Sequence, residues 1–350
     1  MLVRRAEFLR STLAFSAVAV LTPLEASAQS LWDGLVVTAN EEGRSISLVD
    51  VSTWTVRSTL QVPVGPHNVQ TSADQRYLFV TGNKPMEMGG QRPMDEMMME
   101  MMEPGYLLVY DLRHLQTGPM FDIHLGMHAA HVIADRANRF AYVTVSGNKA
   151  VKVVDVHEKS VVATIAVGEM PHGLRMSADE RRIYVSNMMD NSVSFIDVAQ
   201  RKEIARVPCG ASPVQVAVAP DGKIVYVTLA GNNAVGVLDV GAEKLVATIR
   251  VGPNPAQLYI APDGNRLYVA NQGTKDAPGH TGSVIETQTQ SVAATVNVPN
   301  GAHGVVVTPD GSRVFVTNAF DSKLTEIDAA TLSVRSIGVG EGPNGVTLGR

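Results

Sequence analysis

An all-β fold, a seven-bladed β-propeller of four-stranded blades, is predicted by three observations. A short β-branched motif recurs seven times, the recurrence has a fixed period, and the two ends of the chain hold complementary parts of one repeat. The recurring runs are "LVVTAN", "LFVTGN", "AYVTVSGN", "IYVSNMMDN", "VYVTLAGNN", "LYVANQGT" and "VFVTNAFD". Their central valines, Val37, Val80, Val143, Val185, Val227, Val269 and Val316, are 43, 63, 42, 42, 42 and 47 residues apart, which sets a unit of 42 residues.

Each unit reads in the same order. An apolar strand ends at a "PDG" or "SAD" turn, the motif strand follows, then a "GNN"-type turn, a "VxVxDV" strand, a short charged turn and an "ATIxVG" strand. Alternation within the runs marks half-buried strands, and the Gly, Asn and Asp between them suit tight turns. Four strands per unit and seven units predict the propeller. The chain ends on "GPNGVTLGR", a first strand, whereas the propeller begins at "LWDGLVVTAN", a turn and second strand. The C-terminal strand is therefore expected to close the ring with the N-terminal blade, which removes the open edges of a linear array.

The 350 residues are 45% hydrophobic and 18% charged, ordinary globular values with ample length for a full core. Arg4, Arg5 and Arg10 precede an apolar run from Leu13 to Leu21, and Ala26-Ser27-Ala28 offers small residues for cleavage. Residues 1–28 thus read as a secretory signal peptide and 29–350 as the propeller, exported to the periplasm, with no membrane span. Net charge is −5, and loss of three arginines and two glutamates with the peptide would make it −6, so nucleic acid is not an expected partner. The single cysteine, Cys209, excludes an internal disulfide, and no Cys-x-x-Cys-His haem attachment is present.

With these motifs the mature chain resembles the YVTN-repeat propellers, typified by YncE-type periplasmic proteins. The resemblance implies the fold throughout residues 29–350. It does not imply one activity, since such propellers include binding proteins, surface-layer proteins and, more distantly, the propellers of nitrous oxide reductase and of a haem-containing nitrite reductase.

Two features stand outside the core pattern. The first strands of the seven units enter at Pro66-His67, Ala130-His131, Pro171-His172, Pro213-Val214, Pro255-Ala256, Ala302-His303 and Pro343-Asn344. His67, His172 and His303 share one frame position and His131 is displaced by one residue. Inner strands line the central channel, so these four histidines are expected at its mouth as candidate metal ligands. A single turn histidine is commonly only a satisfied polar group; three in one register with a fourth beside them form a pattern.

The second feature is the insertion at 84–105, on the connection that overhangs the same face. Eight of the fifteen methionines lie between Met86 and Met102. Met94, Met97, Met98, Met101 and Met102 follow i, i+3, i+4, i+7, i+8, the stripe of an amphipathic helix, with Glu96, Glu100 and Glu103 largely on the other side. An apolar lid would serve as well with leucine, which packs more specifically. Thioethers are soft ligands that need no deprotonation, and they suit Cu(I) where cysteines would oxidise. The sequence therefore points to a periplasmic metal-binding propeller with copper as its metal, the four histidines and five methionines supplying ligands. The competing reading is a non-catalytic module that binds a protein or peptide partner under a methionine lid. A redox or metal-dependent enzyme is the third, and no Ser-His-Asp, paired-carboxylate or phosphate-loop pattern supports it.

Overall fold

The computed structural model describes residues 34–85 and 102–349. The expected signal peptide at 1–28 and the candidate ligands Met94, Met97, Met98 and Met101 lie outside those residues. Among the described residues twenty-eight strands, numbered here in chain order, form seven separate four-stranded antiparallel sheets. Six sheets are built from four consecutive strands each. Their innermost members are β4 (Gly65–Thr71), β8 (Ala129–Ala134), β12 (Pro171–Met176), β16 (Pro213–Val218), β20 (Pro255–Ile260) and β24 (Ala302–Val307).

The seventh sheet closes the ring as the split repeat requires. Its inner strand is β28 (Pro343–Gly349), paired antiparallel with β1 (Leu35–Asn40) so that Val36 faces Leu348 and Val37 faces Thr347. The outer strands of this sheet are β2 (Ser45–Asp50) and β3 (Thr55–Gln61). Both ends of the described chain thus share one blade, and opening the ring would require breaking a full strand pairing.

The cores lie between blades. Seven apolar clusters each join two neighbouring sheets. In one of them Tyr184 meets Phe195 edge to face at 4.8 Å, with Val216 and Val227 of the next blade in the same cluster. Valines dominate because β-branched side chains fit a pleated surface, and each one fully buried contributes about 1.5–3 kcal/mol. Outermost strands such as Thr55–Gln61 alternate between exposed and half-buried positions.

The threonine or serine of the motif has a second task. Every inner strand carries a register break after its first residues, between Pro171 and Leu174 in β12 and at matching positions elsewhere. The N–H freed by the break is taken by the motif hydroxyl of the same blade: His131 donates to Thr144, Gly173 to Ser186, Gln215 to Thr228 and Gly304 to Thr317, at 2.7–3.0 Å. That hydroxyl then donates to the next blade. Thr81 reaches Ala130 O, Thr144 reaches His172 O, Ser186 reaches Val214 O, Thr228 reaches Ala256 O and Thr317 reaches Asn344 O, at 2.5–2.9 Å. A single hydroxyl therefore satisfies the bulge and fixes the neighbouring strand at the residue where the histidines occur. Among the described residues no helix is long and apolar enough to cross a membrane.

Candidate functional site

The histidines gather on one side of the channel mouth. One ring nitrogen each from His67, His131 and His172 lie within 4.8 Å of one another, and all three residues are buried. Ring centroids are 5.2 Å apart for His67 and His172, 5.5 Å for His67 and His131, and 4.7 Å for His131 and His172. His131, one residue out of frame, would face the opposite way in an unbroken strand. The register break between Ala129 and Val132 admits it to the group.

Frame identity does not bring His303 into this trio. It lines the mouth cavity with His67 and His128 instead, and its Nδ1 lies 3.3 Å from Asn344 O. His128, in the turn before β8, stacks edge-on to His67 at 5.9 Å and has a buried Nδ1 without a hydrogen-bond partner. Its backbone is left-handed, φ 55°, as are Met170, Ser212 and Asn254 at the equivalent turn of other blades, so the conformation belongs to the repeat.

The partners of the rings assign their tautomers. His172 donates Nδ1–H to Val214 O at 3.1 Å, which leaves the lone pair on Nε2. His67 Nδ1 lies 3.0 Å from the Glu41 carboxylate, an acceptor, which assigns its proton in the same way. The two Nε2 atoms face each other at 3.1 Å. Two imidazole lone pairs so placed repel unless a proton or a cation lies between them. Two nitrogens bound to one metal ion at about 2.0–2.1 Å stand about 3 Å apart, so the pair fits a first-row ion. His131 differs: Gln215 donates Nε2–H to its Nδ1 at 3.1 Å while accepting the Val216 N–H at 2.9 Å. That leaves the proton on the buried His131 Nε2, which has no partner. His131 would join as a ligand only after the Gln215 amide turns.

Electrostatics favour neutral imidazoles. Burial first, then mutual proximity, holds His131 and His172 well below the ordinary histidine range, the latter against the opposing pull of the Val214 carbonyl. Burial and the neighbouring His67 lower His128 and His303 to about 4, with Glu41 opposing in both. Burial tends to raise Glu41, but its contact with His67, together with His303 and His128, outweighs it and keeps the carboxyl below its usual value. Glu41 is also hydrogen-bonded by the Asn344 amide. A carboxylate on the far nitrogen of a ligating imidazole fixes the ring and raises its basicity.

Glu41, Asn344 and Gln215 were not among the sequence candidates. Glu41 sits in a turn where charged residues are commonplace, and Asn344 occupies the histidine frame position without being a histidine. Gln215 did carry a signal, as an amide inside the apolar run "VQVAV".

The mouth above the trio is a cavity of about 490 Å³ lined by Glu41, Glu42, His67, His128, His303 and Lys275 among others. Pro85 and Glu103, at the two ends of the insertion, also line it. The two ends of the insertion therefore border this mouth: it leaves β5 (Tyr77–Asn83) and returns at β6 (Pro104–Asp111), where Lys84 N–H bonds Pro104 O at 3.0 Å. Met102, the one candidate thioether among the described residues, is 43% exposed. His280 is exposed on another blade, and Cys209 is buried in an inter-blade core where burial pushes its thiol up to about 12.

With the repeat, the ring and the mouth in place, the comparisons with known proteins agree on the architecture. Residues 107–266 match the family model of the YNCE-like β-propeller. No curated protein matches the chain. Solved structures similar to this propeller include hydrazine synthase of Kuenenia stuttgartiensis, at 19% identity and TM-score 0.67 over 81% of this chain and 89% of that one. A functionally unknown protein from Desulfotomaculum acetoxidans DSM 771 is similar at 14% identity and TM-score 0.72, covering 91% of this chain and 99% of that one. Dihydro-heme d1 dehydrogenase NirN, in complex with DHE, is similar at 14% identity and TM-score 0.63 over 90% and 75%. At these identities the likeness is one of fold.

Proposed function

We propose that this propeller is a periplasmic metal-binding protein whose ion sits between His67 and His172, with copper as the metal. The observation that carries the reading is the pair of Nε2 atoms facing at 3.1 Å, each ring's Nδ1 placed against an acceptor. The third imidazole, His131, lies near the same point and would join once the Gln215 amide turns, and burial keeps His172 neutral, so its Nε2 lone pair is available at neutral pH. Imidazole serves both Cu(I) and Cu(II), whereas thioethers serve mainly Cu(I). In this reading the Met-rich insertion, whose ends border the mouth, captures the reduced ion, and the histidines retain it.

The test is metal analysis and competitive titration of the purified mature chain. Wild type should hold copper tightly in both oxidation states. His67→Ala/His172→Ala should lose Cu(II) retention by at least about 100-fold, as removal of two ligands demands. Deletion of residues 85–103 should lower Cu(I) stoichiometry while Cu(II) remains bound. If the wild-type chain holds no copper beyond that of the double variant, the facing imidazoles share a proton and the module that binds a protein or peptide becomes the leading reading.

A further inference from the structure

Below the histidine trio the channel holds donors with nothing to donate to. Arg175 lies on β12 and its guanidinium makes one hydrogen bond, Nη1 to Leu174 O at 3.0 Å. Among the described residues it has no ion-pair partner, although the group offers five N–H donors and keeps its charge under any ordinary condition. Its Cζ sits 5.8 Å from the centre of the Tyr259 ring on β20. Gln257 holds on β20 the frame position that Gln215 holds on β16, where the amide reaches His131. Its side chain is buried, 3% exposed, and its Nε2 has no partner. The third donor is the His131 Nε2 described above, fully buried and protonated because Gln215 occupies Nδ1.

These three groups come from the inner strands of three blades, β8, β12 and β20, which line one channel. Arg175 meets the strand of Gln257 at Tyr259, and it is close enough to His131 to lower its proton affinity. A half-buried cation without an ion-pair partner, beside two unsatisfied buried N–H donors, is satisfied by an anion with several acceptor atoms. We propose that this segment of the channel is a binding site for one small oxyanion, held by the Arg175 guanidinium, the Gln257 amide and His131 Nε2–H. The class fits the donors: a guanidinium fork matches two oxygens of a nitrate- or carboxylate-like group, and the two remaining donors reach a third oxygen or the rim of the same group. The site does not depend on a metal, but it places the anion directly beneath the proposed ion.

Isothermal titration of the metal-stripped mature chain with sodium nitrate, in chloride-free buffer, tests the assignment. Wild type should bind about one nitrate per chain. Arg175→Met should weaken binding by about tenfold or more, the effect of losing a charge-assisted contact, and Gln257→Leu by a smaller factor, with unchanged circular dichroism. No saturable binding in wild type overturns the proposal, as does an affinity unchanged in both variants. Should Arg175→Met fail to fold, Gln257→Leu decides alone, and an unaltered nitrate affinity there overturns it. Copper titration of the same samples separates this site from the metal reading, since nitrate bound without copper refutes only the latter and copper bound without nitrate refutes only the former.

Discussion

The two sides of the ring are built to one plan and carry different chemistry. On one side β4, β8 and β12 bring His67, His131 and His172 together, with Asn344 of β28 beside them. On the other, β16 and β20 present Val214 and Ala256 at the frame position of His67 and His172. The register break, the motif hydroxyl and its bond to the next strand are present on both sides, through Ser186 to Val214 O as through Thr144 to His172 O. The backbone device therefore presents a side chain at the mouth in every blade without choosing which. Stability resides in the inter-blade valines, and specificity in a residue that the core does not constrain.

This contrast can be broken most severely by removing the facing imidazoles. His67→Ala/His172→Ala should abolish tight Cu(II) binding, while Val214→Ala and Ala256→Gly on the opposite side leave it within about threefold; equal losses on both sides would mean that the mouth, and not the histidine pair, holds the ion.

As pH falls, acid should act first on the histidine side. His128 and His303 have folded values of about 4, below the ordinary 6.5, so the unfolded chain binds more protons between those limits. Their contribution to stability is full above about pH 6.5 and is lost as pH falls through 6.5 toward 4, by at most about 3 kcal/mol each. Urea unfolding at pH 7 and pH 4.5 should show that loss, and a variant with both histidines replaced by glutamine should show it reduced.

The carboxylate behind the pair gives a smaller effect. Glu41→Gln keeps the size of the side chain and should weaken copper by about 10–100-fold, as is typical when the partner of a ligating imidazole is lost. Wild-type affinity in that variant would assign Glu41 to the mouth surface only. A steric test is comparable. A Cβ on Gly173 would meet Gln215 Oε1 at 2.3 Å and Val214 O at 2.6 Å, so Gly173→Ala should destabilise the fold by about 1–3 kcal/mol in thermal melts. Unchanged melting would show that β16 can retreat.

The ring was legible because the 42-residue period, the "PDG" turns and the split repeat are all consequences of the core, and cores write themselves into sequence as periodicity. His67, His172 and His303 were legible as a register. Their grouping was not, since the break in pairing that admits His131 recurs in every blade without a residue type that marks it in the sequence. Arg175 and Gln257 interrupt apolar inner strands, "GLRM" and "AQLYI", and a buried polar residue in such a run is a signal that repeat analysis passes over. Glu41 gave none, because only the closure of the ring brings it to His67.

X-ray absorption at the copper edge of the variant lacking residues 85–103, loaded with one equivalent of Cu(II), tests the central claim most directly. The account predicts a first shell of at least two nitrogens with the outer-shell scattering of imidazole, lost in the additional His67→Ala/His172→Ala background. A shell of oxygens without imidazole scattering, or a spectrum indifferent to those two substitutions, would contradict it.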